Sequence, residues 1–373
     1  MATIGTQVTS GTPTNTIYYD SLMSTTLAAY RKTMIDNIFK DSAFLSYLRM
    51  KGAVKKQNGG QRVVIPLMYG ANSTIKTHGG YSVIDTTPQE GITQAEYDWA
   101  EIAGSITISR KEERQNSGEG MIINLLESKI KQAEMSMREK LNGDLILGTI
   151  SATCFGPDKA EDGSYGLLPL GYFIPKLNAT NPVAPFPTMI GNIGSAANSW
   201  WRAKTFSLNN QSTTGVSFTK NPSTWAGLAQ ALKSAYNYCG RGSGGAPNLV
   251  LFDQDSYENY EQSMDAKIRY SDTKMADLGF ETIKLKGATC IWDEVVPDVY
   301  TGTAAITVGT AFFINTEFYG LMIDSETDII TTPFIEPENQ TAKTARILFM
   351  GQAWCSNLRK LGGATGLLKA ISS

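Results

Sequence analysis

The chain has 373 residues, 42% of them apolar and 18% charged, and 33 basic against 35 acidic residues leave a formal net charge of −2. This length exceeds the usual single domain and favours two lobes with separate cores, while the near-neutral balance excludes a dedicated nucleic-acid binder with a strong counterion-release term. The charged fraction is below the roughly 25% of an average soluble protein, which leaves the weakly polar surface that extensive interfaces or a large enzyme core would need. The N-terminal MATIGTQVTSGTPTNT lacks the basic start and apolar stretch of a secretory signal. No segment reaches the ~20 apolar residues of a membrane span, so a protein made and kept in a cytoplasm, without membrane contact, is expected.

Residues 1 to about 18 are rich in Thr, Ser and Gly and cannot bury enough surface to offset their ordering entropy, which predicts a mobile or partner-docked arm. Two short helices follow, over 26–37 and over 42–51, the second with Asp41 as N-cap and Gly52 just past its end. Ile35, Ile38, Phe39, Phe44, Leu45 and Leu48 form their apolar faces.

From Gly59 to Arg110 the pattern turns β-like, with QRVVIPLMY (61–69) as one extended segment and 100–108 as another. In the second, Ala100, Ile102, Gly104, Ile106 and Ile108 share one face, as the period of two requires. Between them lies GANSTIKTHGGYSVIDTTPQEG, too long for a tight turn and too polar for a core. The expected object is a long two-stranded projection. Being marginal in water alone, it requires packing on a neighbour.

Residues 117–147 carry Ile122, Leu126, Ile130, Ala133, Met137, Leu141 and Leu145 at steps of four and three, the stripe of a long amphipathic helix. Residues 156–222 hold seven prolines and read as loops. A small α/β lobe then appears: a helix over 223–239, the loop GRGSGG (Gly240 to Gly245), a buried strand over 249–252, a helix starting at Asp253, and strands over 282–285 and 288–292. Segments 312–322, 329–334 and 345–354 read as β before a glycine-containing tail.

The search for chemistry yields little. The single histidine, His78, falls in the polar tip of the projection without a partner nucleophile or metal cluster. GRGSGG lacks the GxxxxGK[ST] pattern and follows a helix, so it reads as a flexible connection. Asp253, Asp255, Glu258 and Glu261 resemble a cation loop, but Glu258 stands where that loop needs glycine, and capping by Asp253 explains the cluster more simply. Cys154, Cys239, Cys290 and Cys355 show no ligand spacing and read as buried free thiols. No catalytic, cofactor or metal site is expected.

The order of elements resembles the major capsid proteins of tailed phages with the Hong Kong 97-type fold, an α+β class. DNIFKDSAFLSYLRMKG (36–52) is similar to the arm before the projection. The long ITISRKEERQNSGEGMIINLLESKIKQAEMSMREKLNGDLI (106–146) is similar to the join to a spine helix. YGLLPL (165–170) and NSWWRAK (198–204) resemble the passage into a second lobe. NLVLFDQDSYENYE with DLGFETIKLKGATCIWDEVVP (277–297) resembles the axial lobe, and FFINTEFYGLMI (312–323) the return.

The resemblance implies an N-terminal arm over 1–56 and an E-loop β-ribbon over 57–110 lying on the next subunit. It implies a peripheral domain over 111–200 with the spine helix at 117–147, an axial domain over 201–311 meeting around five- and six-fold axes, and a return and tail over 312–373. It implies self-assembly through pentamers and hexamers into an icosahedral virion shell, built in the host cytoplasm around a tailed-phage genome. Expected partners are a portal protein, a scaffolding protein, a decoration protein, and packaged DNA in loose non-specific contact. The short flexible start does not resemble a cleaved scaffolding region, so a separate scaffold, or none, is expected. No lysine, asparagine and glutamate match the cross-link chemistry of some relatives. Two alternatives stand beside this: a nanocompartment shell subunit of the same fold, and an α/β enzyme using 201–311 with Asp253 or Asp293 as its acid.

Overall fold

The computed structural model describes residues 42–116, 125–150, 155–156, 166–174, 189–195, 197–207, 212–213, 216–217, 225–242, 244–264, 283–296, 308–338 and 340–368. The expected arm, the helix over 26–37, Cys154 and the first turns of the spine helix lie outside these residues. The chain divides into two units: one of Met1–Phe39, Ala103–Met137 and Ile329–Leu348, and a larger one of Lys40–Ile102, Arg138–Asp328 and Phe349–Ser373.

In the smaller unit the alternation read from sequence holds, with Ile106 and Ile108 buried and Thr107 exposed on the strand Ala100–Ser109. A short helix, Arg110–Gln115, follows where no helix was expected. Its cause is a capping box: the Ser109 hydroxyl accepts from Glu112 N–H at 3.2 Å, and the Glu112 carboxylate accepts from Ser109 N–H at 3.0 Å. Glu112 and Glu113 then pair with Lys129 at 3.3 Å and Lys343 at 2.7 Å. Lys129 lies on the long helix Leu125–Ile146, whose 22 described residues span about 33 Å at 1.5 Å per residue.

The larger unit is built on a six-stranded mixed sheet, in the order Ile283–Leu285, Ala288–Trp292, Leu249–Phe252, Val308–Ile314, Gly362–Leu368, Lys204–Ser207. Leu249–Phe252 is buried at all four positions, which is why it reads as an unbroken apolar run rather than an alternating one. It pairs parallel with Ala288–Trp292 and antiparallel with Val308–Ile314. The helix Trp225–Cys239 inserts Leu228, Leu232, Ala235 and Cys239 into one core with Phe206, Val250, Phe252 and Phe313.

The segment 312–322 is largely β, as expected, in two strands of different sheets, Val308–Ile314 and Tyr319–Asp324, divided by a turn in which the Asn315 carboxamide accepts from Glu317 N–H at 3.0 Å. One expectation changes. The glycine-containing tail is a strand, Gly362–Leu368, seated between Val308–Ile314 and Lys204–Ser207. Its glycines are what make that seat possible, because a Cβ on Gly362 would run into the Cys239 sulfur and one on Gly363 would come 2.6 Å from Ile174 Cγ2.

The helix expected over 42–51 is Ala43–Met50, and its N-cap is Ser42, not Asp41: the Ser42 hydroxyl accepts from Leu45 N–H at 3.1 Å. That hydroxyl also donates to Asn142 Oδ1 at 2.5 Å, and Asn142 Nδ2 donates to the buried Asp293 carboxylate at 3.3 Å. One polar chain thereby ties the arm helix, the C-terminal part of the long helix and the end of Ala288–Trp292. Gly52, at φ +68, ends the arm helix. The next strand, Val54–Gln57, then pairs parallel with Tyr319–Asp324.

At the end of that pair the Asp324 carboxylate accepts from Gly59 N–H at 3.1 Å, Glu326 N–H at 3.2 Å and the Thr327 hydroxyl at 2.9 Å. These bonds, that from Gly59 first, hold its pKa below the usual carboxylate range. The stabilisation is present above the unfolded pKa of about 4 and lost as pH falls through the lowered folded value. Asp324→Asn should lower the urea midpoint of the unassembled subunit at neutral pH, and the gap from wild type should close on acidification. A gap that persists in acid would mean that the carboxylate charge is not what the site uses. Gly362→Ala should destabilise by about 1–3 kcal/mol through overpacking. Gly143→Ala, in the long helix with open space at its Cβ position, should instead stabilise by up to about 1 kcal/mol. Chemical denaturation of the two variants checks both signs.

Candidate assembly surface on the ribbon

Between Asn58 and Trp99 the chain makes a two-stranded antiparallel ribbon from Val63–Met68 and Ile92–Tyr97, in register from Val63 opposite Tyr97 to Met68 opposite Ile92. The expected second strand, 100–108, is not in it. Ala100–Ser109 pairs instead with Ala342–Cys355, because its apolar face is long enough to enter a sheet core while Ile92–Tyr97 alternates over only six residues. The ribbon register places Val63, Leu67, Ala95 and Tyr97 on a buried face. Val64, Pro66, Met68, Ile92 and Gln94 are on the other face, open to solvent. Pro66 donates no hydrogen bond, as the free edge of a ribbon tolerates.

The root is heavily anchored. Tyr97 OH donates to Cys355 O at 2.7 Å, and burial pushes this phenol well above its ordinary pKa. The buried Gln352 donates to Asp98 O at 2.6 Å and accepts from Leu168 N–H at 2.8 Å. Trp99 Nε1 donates to Gly60 O at 2.8 Å, and Arg62 bridges Glu96 at 2.9 Å and Asp98 at 2.7 Å. Glu96 N–H donates to Gly191 O at 3.0 Å, bringing the hairpin Met189–Ile190/Ile193–Gly194 against the strand. Tyr69 stacks on Trp200 with ring centroids 4.8 Å apart.

Beyond Tyr69 the anchoring ends. Residues 71–90 have no regular strand and are held by local bonds: Ser73 to Gln89 at 2.7 Å, Thr87 to Asp85 at 2.5 Å, and an exposed Lys76–Asp85 pair at 3.5 Å. His78 lies where the sequence placed it, in the polar tip, with its Nδ1 2.8 Å from the Ser82 hydroxyl. This segment carries large apolar side chains in water: Ile75, Tyr81, Val83 and Ile84, with Met68 and Ile92 at its neck. Met68 is 82% exposed and Val83 96%, values that a self-contained fold does not leave clustered on one element.

The residues singled out for chemistry are occupied with structure. Asp253 is buried, caps Gln254–Gln262 by accepting from Ser256 N–H at 3.1 Å, and accepts from Thr310 N–H at 2.8 Å. Asp293 accepts from Asn142 and, at 3.1 Å, from Val295 N–H. Burial raises the pKa of both carboxyls. Cys239, Cys290 and Cys355 are buried free thiols, and burial pushes Cys239 and Cys290 up to about 12, which suppresses thiolate chemistry. Among the described residues no group of three or more His, Cys, Asp or Glu could hold a metal, and no helix is long and apolar enough to cross a membrane.

GRGSGG is not the flexible connection expected. Lys360, 1% exposed, donates from Nζ to the carbonyls of Gly240, Arg241, Gly242 and Gly245 at 3.4, 3.3, 3.1 and 2.9 Å, so the loop is wrapped on a buried ammonium. Nothing in the local sequence announces this, because the lysine and the loop are more than a hundred residues apart.

No protein-family model and no curated protein matches the chain. Solved structures do. The capsid of cyanophage A-1(L) superposes with a TM-score of 0.60 and 14% identity, over 91% of this chain and 96% of its own. The capsid of the Myoviridae phage XM1 gives 0.54 and 12%, over 90% and 96%. The SrpI encapsulin complex of Synechococcus elongatus gives 0.51 and 8%, over 93% and 97%. With so few residues shared, the likeness is one of backbone path and element order across nearly the whole length of each chain. The chain has the Hong Kong 97-type capsid fold, an α+β architecture common to these phage shells and the encapsulin.

Proposed function

We propose that the chain is the major capsid subunit of a tailed bacteriophage, assembling through pentamers and hexamers into the icosahedral shell that encloses the genome. The observation that carries this reading is the ribbon tip: Ile75, Tyr81, Val83 and Ile84 are exposed on a projection that no other described residue covers, in a protein with a shell fold. Full burial of a valine or isoleucine side chain is worth about 1.5–3 kcal/mol, so a tip seated on a neighbouring copy stabilises both the ribbon and the contact. Many such interfaces of modest individual strength close a shell.

In this reading the ribbon between Asn58 and Trp99 is the E-loop, shorter than the 57–110 expected from sequence, and 111–200 hold the spine helix of a peripheral domain. Residues 201–311 meet around the five- and six-fold axes, and 312–373 return. The role is structural rather than catalytic, and the place of action is the virion. A portal, a separate scaffold and a decoration protein are the partners that such a shell would take, with assembly in the host cytoplasm and loose contact with packaged DNA. A nanocompartment shell is the second reading, favoured by the likeness to the SrpI encapsulin; a copurifying cargo enzyme would select it.

Deleting residues 73–86 removes the apolar tip and leaves the root bonds at Tyr97, Arg62 and Gln352. The variant should stay folded by circular dichroism and sediment only as unassembled subunits or capsomers, where wild type gives closed shells. Normal shells from the deletion variant would contradict the role given to the ribbon.

A further inference from the structure

The helix Trp225–Cys239 ends in a concentration of cations that shell closure does not explain. A helix C-terminus carries roughly half a negative charge on its free carbonyls. Here two ammoniums cancel it: Lys360 inside the carbonyl cage of the loop Gly240 to Gly245, and the half-buried Lys204, which donates to Tyr238 O at 2.7 Å. Around this neutralised end stand Arg241, Arg359, Lys286 and Lys233, all exposed. Arg241 and Lys204 sit over the Tyr238 ring at 5.0 and 4.9 Å, and Lys286 donates to Asn237 Oδ1 at 2.5 Å. Lys233, Asn237 and Arg241 follow one another at steps of four, along one stripe of the helix and its exit.

Among the described residues no carboxylate pairs with Lys233, Arg241, Lys286 or Arg359. Burial lowers the pKa of Lys204, and three of its neighbours, Lys360, Arg359 and Arg241, push it further in the same direction. In a chain of net charge −2 this is a local surplus. The buried Lys360 fixes the loop from which Arg241 projects and directly follows Arg359, so the surface is held in place from beneath rather than scattered.

We propose that this surface, Lys233, Arg241, Lys286 and Arg359 over the Lys360 cage, binds the phosphate backbone of duplex DNA without reading sequence. Guanidiniums suit phosphate oxygens, and Tyr238, the aromatic ring at this surface, is already engaged by Lys204, Arg241 and Phe206 rather than presented for stacking on a base. An acidic protein segment fits less well, since docking of a peptide uses an apolar anchor. Among the described residues no large exposed apolar side chain lies on this helix, its loop or the turn Leu358–Lys360. The inference rests on the genome-enclosing reading only for the identity of the polyanion.

The test is fluorescence anisotropy of unassembled full-length subunit with a short labelled duplex across a salt series. The patch variant combines Lys233→Gln, Arg241→Gln, Lys286→Asn and Arg359→Gln; the control combines Arg49→Gln, Lys131→Gln and Arg138→Gln. The patch variant should lose at least about tenfold in affinity at low salt, with the log–log salt slope reduced by about 2–4, while the control behaves as wild type. Equal loss in both variants, wild type that does not bind the duplex, or wild type that prefers polyglutamate would each overturn the proposal. Sedimentation of the same proteins reads shell formation separately. Patch-variant shells that form normally keep the two questions apart, and a wild type that forms none counts against the capsid reading without altering the binding result.

Discussion

A two-stranded ribbon has two free edges and two faces, and here a single chain covers one face at one end. Val63, Leu67, Ala95 and Tyr97 are packed at the root, while Met68, Ile75, Tyr81, Val83, Ile84 and Ile92 face water. The hydrophobic effect sets a direction for the whole molecule: the tip is held by a handful of short polar bonds, and the large gain in free energy lies in finding another surface. The root bonds of Tyr97, Gln352, Arg62 and Asp324 matter because they deliver that tip at a fixed angle. A ribbon hinged freely at Gly59 would pay ordering entropy on every docking event.

The larger unit is organised to make that root rigid. Several polar groups are paired where elements meet: Ser42, Asn142 and Asp293 at the arm helix, Tyr47 on the Asn248 carbonyl at 2.8 Å, and Gln352 between Asp98 and Leu168. Such bonds add modest net stability each, but leaving one partner unmatched costs about 1–3 kcal/mol, so they specify one arrangement of elements over near alternatives. Close backbone packing has the same effect. Gly362 and Gly363 let the last strand enter the sheet against Cys239 and Ile174, where any side chain would force it out.

Much of this was legible in the sequence because it rests on local periodicity. The unbroken LVLF strand, the Asp253 cap, the 3.6-residue stripe of the long helix and the alternation of Ile106 and Ile108 all follow from short-range rules. What escaped depends on residues distant in the chain. The alternation of Ala100–Ser109 marks it as a strand but does not name its partner, which lies beyond residue 340 rather than in the adjacent ribbon. The Lys360 cage unites a loop at 240 with a turn at 358–360, and the glycine tail became a strand only because a helix end and a neighbouring strand left a slot of that width. One local signal does stand in the sequence: Ser109-x-x-Glu112 spells the capping box that starts Arg110–Gln115. On the candidate surface, the apolar residues of the tip were visible as letters. Their exposure follows from the fold, which ends the strand pairing at Met68 and Ile92 and leaves the tip outside every core of the described residues.

The central claim is that the ribbon tip is completed by another copy of the chain. Hydroxyl-radical footprinting with mass spectrometry reads it directly, since Met68 and Tyr81 are both reactive side chains and both exposed in the single chain. The account predicts that oxidation of Met68 and Tyr81 falls several-fold on going from unassembled subunits to purified particles, while exposed residues elsewhere keep their rates. Equal oxidation of the two residues in both states would contradict it.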